Sequence, residues 1–146
     1  MIEYKAERIV SCSQKEVFDV IADVEKYPEF VPFCKSIKTI EINDDHHLVE
    51  MSVGKGFFKE NYTSKVFFKP HNEIISLVHT GPLKTLKNVW SFEPLEDLKT
   101  KVNLYCCFEI SSSFLQVLMV SKIEQIGSMM IEAFGQRLIT LSKTRE

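Results

Sequence analysis

The chain of 146 residues is 45% hydrophobic and 26% charged, a composition that fits one domain spanning residues 1–146 and excludes a disordered or low-complexity protein. Eighteen Lys and Arg against twenty Asp and Glu leave a net charge of −2, which argues against a protein that coats nucleic acid, DNA included, with its whole surface. No apolar run approaches the roughly 20 residues of a membrane span, and the opening Met-Ile-Glu-Tyr-Lys-Ala-Glu-Arg lacks the apolar core of a signal peptide, so a cytoplasmic protein is expected, with peripheral contact to a membrane left open.

Tyr4 to Cys12 reads as a strand. Ser13-Gln14-Lys15-Glu16 is a capping box, in which hydroxyl and carboxylate satisfy each other's backbone donors, so a helix should start at Ser13. Val17, Phe18, Ile21 and Ala22 recur at helical spacing and give it an apolar face ending near Asp23. Two prolines in Tyr27-Pro28-Glu29-Phe30-Val31-Pro32-Phe33 allow at most a short helical turn. From Lys35 to about Ile110, turn signals at 43–45, 54–56, 70–72, 81–82 and 95–97 divide the chain into six antiparallel strands. In the clearest of these, Val102, Leu104, Cys106, Phe108 and Ile110 alternate with Lys101, Asn103, Tyr105, Cys107 and Glu109. From Ser113 to about Lys143, apolar residues recur at steps of three and four, giving a helix about 45 Å long. Only the sheet offers enough surface to bury its stripe, so the expected fold is α+β: a curved antiparallel sheet of about seven strands wrapped around a long C-terminal helix. Such a wrap encloses space, and hollow sheets of this kind commonly serve apolar ligands.

A domain of this size stands without metal or disulfide staples, and no cofactor is required for folding. Cys12, Cys34, Cys106 and Cys107 contain no C-x-x-C pair and are expected to be reduced thiols. His46 and His47 follow Asn43-Asp44-Asp45 in a hairpin turn, so no metal site is expected. In the strand before Lys69, Lys59, Lys65 and Lys69 fix the outer face, which turns Phe58, Glu60, Tyr62 and Ser64 inward. The buried polar groups among them either meet a ligand head group or bond one another, because leaving one unpaired costs about 1–3 kcal/mol. Lys59, Lys65, Lys69, Lys87, Lys99 and Lys101 share the outer face, which is either an ordinary solvated surface or a patch for anionic lipid or ribosomal RNA. Tyr27, Phe30, Val31 and Phe33 form either a lid over the opening or packing beneath the long helix. Gly127 and Gly135 each cost about 1 kcal/mol in a helix and so mark space left for a ligand or a crossing strand. No nucleophile, phosphate-cradling or carboxylate-pair motif is present; Glu60 with His79 is the best acid–base pair available, and no catalytic residue is assigned.

Asp23-Val24-Glu25-Lys26-Tyr27-Pro28-Glu29-Phe30-Val31-Pro32-Phe33-Cys34, Glu60-Asn61-Tyr62-Thr63-Ser64-Lys65-Val66, Gly81-Pro82-Leu83-Lys84-Thr85-Leu86 with Trp90-Ser91-Phe92, and Met130-Ile131-Glu132-Ala133-Phe134 resemble the coenzyme Q-binding START-like family of the polyketide cyclase/lipid-transport superfamily. Phe33 stands where that family commonly has tryptophan, Lys65 where it has arginine, and Lys87-Asn88 where it has an acidic residue and glycine. The resemblance implies a helix-grip fold and a non-catalytic protein that holds ubiquinone or a related isoprenoid lipid, supporting quinone synthesis or respiratory electron transport, with peripheral contact to the inner membrane. On that reading Phe58, Tyr62, Trp90, Phe92, Phe108, Leu118, Met119, Met130 and Phe134 line the cavity, Glu60 is its polar handle, and Tyr27, Phe30, Val31 and Phe33 are the lid. The family's bacterial branch includes ribosome-association toxins, which implies as alternative a protein that binds the large ribosomal subunit through the lysine face and blocks subunit joining. A cyclase on the same fold is the third reading.

Overall fold

The computed structural model describes the backbone of residues 2–32, 34–55, 58–80, 85–109 and 113–144, and the side chains of all of these except 55, 58–60, 113–124 and 142–144. The elements run β1 Ile2–Val10, α1 Gln14–Ala22, a 3₁₀ helix Val24–Glu29, β2 Cys34–Ile42, β3 His47–Lys55, β4 Phe58–Lys69, β5 Glu73–Thr80, β6 Thr85–Leu95, β7 Lys99–Glu109 and α2 Ser113–Thr144. The seven strands form one curved antiparallel sheet in the order β1-β7-β6-β5-β4-β3-β2, with the long helix packed against it, as the periodicities predict. β1 and β2 are its two edges, and β1 pairs with β7 from Ile2 opposite Phe108 to Val10 opposite Thr100. β2 carries irregularities between Cys34 and Ser36 and between Thr39 and Glu41, which blunt that edge as a template for further pairing.

Ser13 is the N-cap of α1, its hydroxyl accepting from the Glu16 amide at 3.2 Å. The helix buries Val17, Phe18 and Ile21 against one end of the sheet, where the Phe18 and Phe92 rings meet edge to face at 6.1 Å. Two bonds lock this end: the buried Thr100 hydroxyl donates to the Cys12 carbonyl at 2.8 Å, and the Gln14 side-chain amide donates to the Phe92 carbonyl at 3.0 Å. The segment after α1 is more helical than its two prolines suggest. Pro28 lies inside the 3₁₀ helix, where its missing N–H removes one short-range bond, and the Phe30 and Val31 amides both donate to the Tyr27 carbonyl, at 3.1 and 2.8 Å.

Gly127 and Gly135 bring α2 onto β1. A Cβ at Gly127 would stand 2.2 Å from the Tyr4 ring, and one at Gly135 would stand 2.6 Å from the Arg8 guanidinium. Eight residues of helix advance about 12 Å, and the four residues from Tyr4 to Arg8 advance about 13 Å along a strand, so the two elements run side by side in register. Of the two spaces that glycine could mark here, the crossing strand is occupied at both positions, and Gly127 also borders a cavity. Arg8 then reaches Glu132 of α2 at 2.5 Å. Exchanging a helical glycine for alanine ordinarily gains about 1 kcal/mol, but the rigid Tyr4 ring cannot yield at Gly127, whereas the Arg8 terminus can swing away at Gly135. Gly127→Ala is therefore expected to lower the thermal midpoint by several degrees and Gly135→Ala to leave it within a degree or two. Thermal melts of the two variants check this contrast, and equal losses would contradict it.

Candidate functional site

Between the inner face of the sheet, the 3₁₀ segment and α2 lies a cavity of about 180 Å³. Its apolar wall includes Val49 and Met51 of β3, Val66 of β4, Trp90 of β6, and Met130 and Phe134 of α2. For scale, an apolar cavity of about 150 Å³ holds benzene. Among the described residues the space is large enough for one substituted ring. Phe134 is buried and collects three rings around it, with centroids at 5.0 Å to Tyr27, 5.0 Å to Phe30 and 4.9 Å to Trp90. Arg137 of the same helix stacks over Phe30 at 5.1 Å and reaches Glu29 at 3.2 Å, so the segment carrying the aromatics is held to α2 by charge as well as by packing.

The polar part of the wall is uncharged. Tyr27 donates to the Ile21 carbonyl, and burial, with smaller contributions from nearby Cys34 and Asp23, raises its phenol far above the ordinary range. Tyr62 donates to the Met51 sulfur at 3.0 Å, and burial pushes its phenol up to about 12. Burial likewise pushes the Cys34 and Cys106 thiols up to about 11. Ser64, Ser76 and Asn88 face the cavity from β4, β5 and β6, and among the described residues none of their side chains has a hydrogen-bond partner. Ser76, Asn88 and Cys106 stand opposite one another in one rung across β5, β6 and β7, and Ser64, opposite Val78, lies diagonal to Ser76, so these groups form one polar stripe across a largely apolar wall.

The raised thiols make stability sensitive to alkali. The unfolded chain releases these protons near pH 9 and the folded one near 11, so their contribution is whole below about pH 9 and is lost as pH climbs towards 11. Urea midpoints at pH 7.5, 9 and 10.5 are expected to fall across that window, and Cys34→Ala with Cys106→Ala should flatten the fall. An unchanged slope in the double variant would assign the alkaline loss to other groups.

Of the residues expected to line the cavity, Tyr62, Trp90, Met130 and Phe134 do so, as do Tyr27 and Val31 of the expected lid. Phe30 reaches the site only through its ring contacts with Tyr27 and Phe134. Phe92 and Phe108 face inward and are buried, but neither borders the cavity: Phe92 lies under α1, and Phe108 sits beyond it between Leu86 and Ile2. Glu60 stands opposite Val53 in the ladder; its side chain and those of Phe58, Lys59, Leu118 and Met119 lie outside the described residues, as does Phe33. His79 is exposed and does not reach the cavity. Ser76, Asn88, Cys34 and Cys106 were not expected on the cavity wall from the sequence, although the strand alternation that turned Trp90 inward also turns Asn88 inward.

Outside, Lys65, Lys69, Lys87, Lys99 and Lys101 share the far face of the sheet, but not as one positive field. Lys69 pairs with Glu73 at 2.9 Å and Lys101 with Glu7 at 3.2 Å, while Glu93 stands opposite Lys101. Among the described residues Lys65, Lys87 and Lys99 form no ion pair, and Lys65 and Lys87 flank Leu77 in one rung. Lysine spacing along a strand assigns each residue to a face, whereas the neighbouring acids come from other strands through the register. Among the described residues no cluster of His, Cys, Asp or Glu could hold a metal, and no helix is long and apolar enough to cross a membrane.

A family model described as polyketide cyclase/dehydrase and lipid transport matches residues 10–135. The chain is 31% identical over 129 residues to the ribosome association toxin RatA of Vibrio cholerae serotype O1, covering 88% of this chain and 90% of that protein. It is 35% identical over 127 residues to the mitochondrial coenzyme Q-binding protein COQ10 of Dictyostelium discoideum, covering 84% of this chain and 62% of that protein. Among solved structures, a START superfamily protein from Mycobacterium smegmatis matches with a TM-score of 0.79 over 95% of this chain and 98% of that one, at 14% identity, a likeness of fold.

Proposed function

Because the chain belongs to the polyketide cyclase/dehydrase and lipid-transport family, we propose that it carries ubiquinone or a related isoprenoid lipid, unchanged, and so supports quinone synthesis or respiratory electron transport. The observation that carries this reading is the stripe of unpartnered Ser64, Ser76 and Asn88 in a small apolar cavity. Hydroxyl and amide protons there would donate to ring carbonyl oxygens, and each such bond in a dry site is worth about 0.5–1.5 kcal/mol. The ring packs among Trp90, Met130 and Phe134, and the isoprenoid tail runs out through the open side of the cavity. A carrier also needs no acid or base, and the described wall offers none that ionises near neutral pH. The similarity to the coenzyme Q-binding relative supports the choice of ligand.

The test is mass spectrometry of an organic extract of protein purified from a quinone-producing host. Near-stoichiometric quinone is expected. In the loaded protein, alkylation of the wall thiols Cys34 and Cys106 should be slower than in the delipidated protein, while Cys107, which alternates to the other face, reacts at one rate in both. An empty protein whose thiols ignore added quinone would refute the reading.

The similarity to the ribosome association toxin favours a second reading, binding to the large ribosomal subunit. Its candidate contacts are the cations free of ion pairs among the described residues. Lys65→Glu with Lys87→Glu is expected to weaken salt-sensitive co-sedimentation with ribosomes about tenfold or more. Binding unchanged by both substitutions would exclude this face.

A further inference from the structure

The described wall of the cavity holds no cation. The titratable groups facing it are Tyr27 from the 3₁₀ segment, Cys34 from β2, Tyr62 from β4 and Cys106 from β7, all neutral, while β3, β5, β6 and the described part of α2 contribute none. On the described wall the side-chain N–H donors are the Asn88 amide and the Trp90 indole, both uncharged. An ionised carboxylate or phosphate brought here would lose its water and meet neither a counter-charge nor enough donors to replace it. A neutral ring with carbonyl or ether oxygens loses far less, and Ser64, Ser76 and Asn88 can repay it. We propose, resting on the carrier reading, that the cavity selects by charge: it admits neutral ring-bearing lipids and excludes the same lipids while they bear an ionised carboxylate or phosphate. The reaction that removes or masks such an acid, a decarboxylation, esterification or dephosphorylation, must then precede loading.

A matched pair tests this: 4-decyloxybenzoic acid and its methyl ester, nearly equal in shape and differing in charge. Trp90 is the chain's one tryptophan and stands on the cavity wall, so its fluorescence reports occupancy directly. At pH 7.5 the ester is expected to bind at least about 100-fold more tightly than the acid. Between pH 7.5 and 5.5 the acid should recover about 100-fold, because its protonated fraction rises tenfold per pH unit above the carboxyl pKa, while the ester stays constant. Asn88→Lys, or Ser76→Lys should the first fail to fold, is expected to reverse the preference at pH 7.5 by supplying the missing counter-charge. Equal affinity for acid and ester in the wild-type protein would overturn charge selection and leave the carrier reading standing. Quenching by neither compound would overturn the carrier reading and this proposal with it. If Glu60→Gln alone admitted the acid, the exclusion would belong to one carboxylate rather than to an uncharged wall, and the assignment would fall.

Discussion

Replacing Phe134 by alanine is expected to lower the thermal midpoint by about 10–15 °C, the largest single loss of stability foreseen for this chain. Phe134 is 2% exposed, and its ring lies between those of Tyr27, Phe30 and Trp90. Truncating a buried phenylalanine removes its transfer energy and leaves a void, together about 3–5 kcal/mol. Three edge-to-face contacts are lost as well, and such pairs contribute about 0.5–1.5 kcal/mol each beyond area. The position borders the cavity, so the variant also widens the ligand space and should bind bulkier rings than the wild-type protein. Phe134→Leu, which keeps most of the volume, should lose less than half as much. A midpoint shift under 5 °C for the alanine variant would mean that the four rings do not act as one packed cluster.

Met130→Trp is expected to cut co-purifying quinone by more than tenfold while leaving the thermal midpoint unchanged or higher. Met130 faces the cavity from α2, one turn beyond Gly127, and its thioether leaves the space that a ring would occupy. Indole is bulkier, and the extra atoms enter a void rather than a filled core. Overpacking costs about 1–3 kcal/mol where no room exists, but filling a cavity returns about 24 cal/mol per Å³. Loss of ligand with stability retained separates blocking from unfolding, and extraction with a parallel melt reads both. A variant that kept its full quinone content would place the ligand elsewhere.

The fold was largely legible in the chain because it is written in periods. Alternation in Val102 to Phe108 sets one buried face, the Ser13–Glu16 pattern starts α1, and the spacing from Ile126 to Leu138 runs the long helix along the sheet. The site was legible in part. Alternation states which face a residue occupies but not how high along the strand it stands, so Phe92 and Trp90, both inward, were grouped together although one lies under α1 and the other on the cavity wall. The polar stripe needs register as well. Ser76 and Asn88 are twelve residues apart and meet only because β5 and β6 pair in that frame. Charge on the far face behaves the same way, since Glu7 reaches Lys101 only across the β1–β7 ladder.

The pairing of β1 with β7 has a consequence for how the chain is made. Ile2 must find Phe108, and the Tyr4 ring must find Gly127, so the first strand has its partners in the last third of the sequence. At a synthesis rate of about 5–20 residues per second, β1 emerges and waits roughly 5–20 s before its neighbour exists. The strands between can zip as hairpins meanwhile, each closing a short loop, while the first strand remains unpaired, its backbone open to other strands. Folding of this protein therefore ends at its beginning, in a non-local closure of the slow kind, and the N-terminal strand is the segment most in need of protection on a translating ribosome.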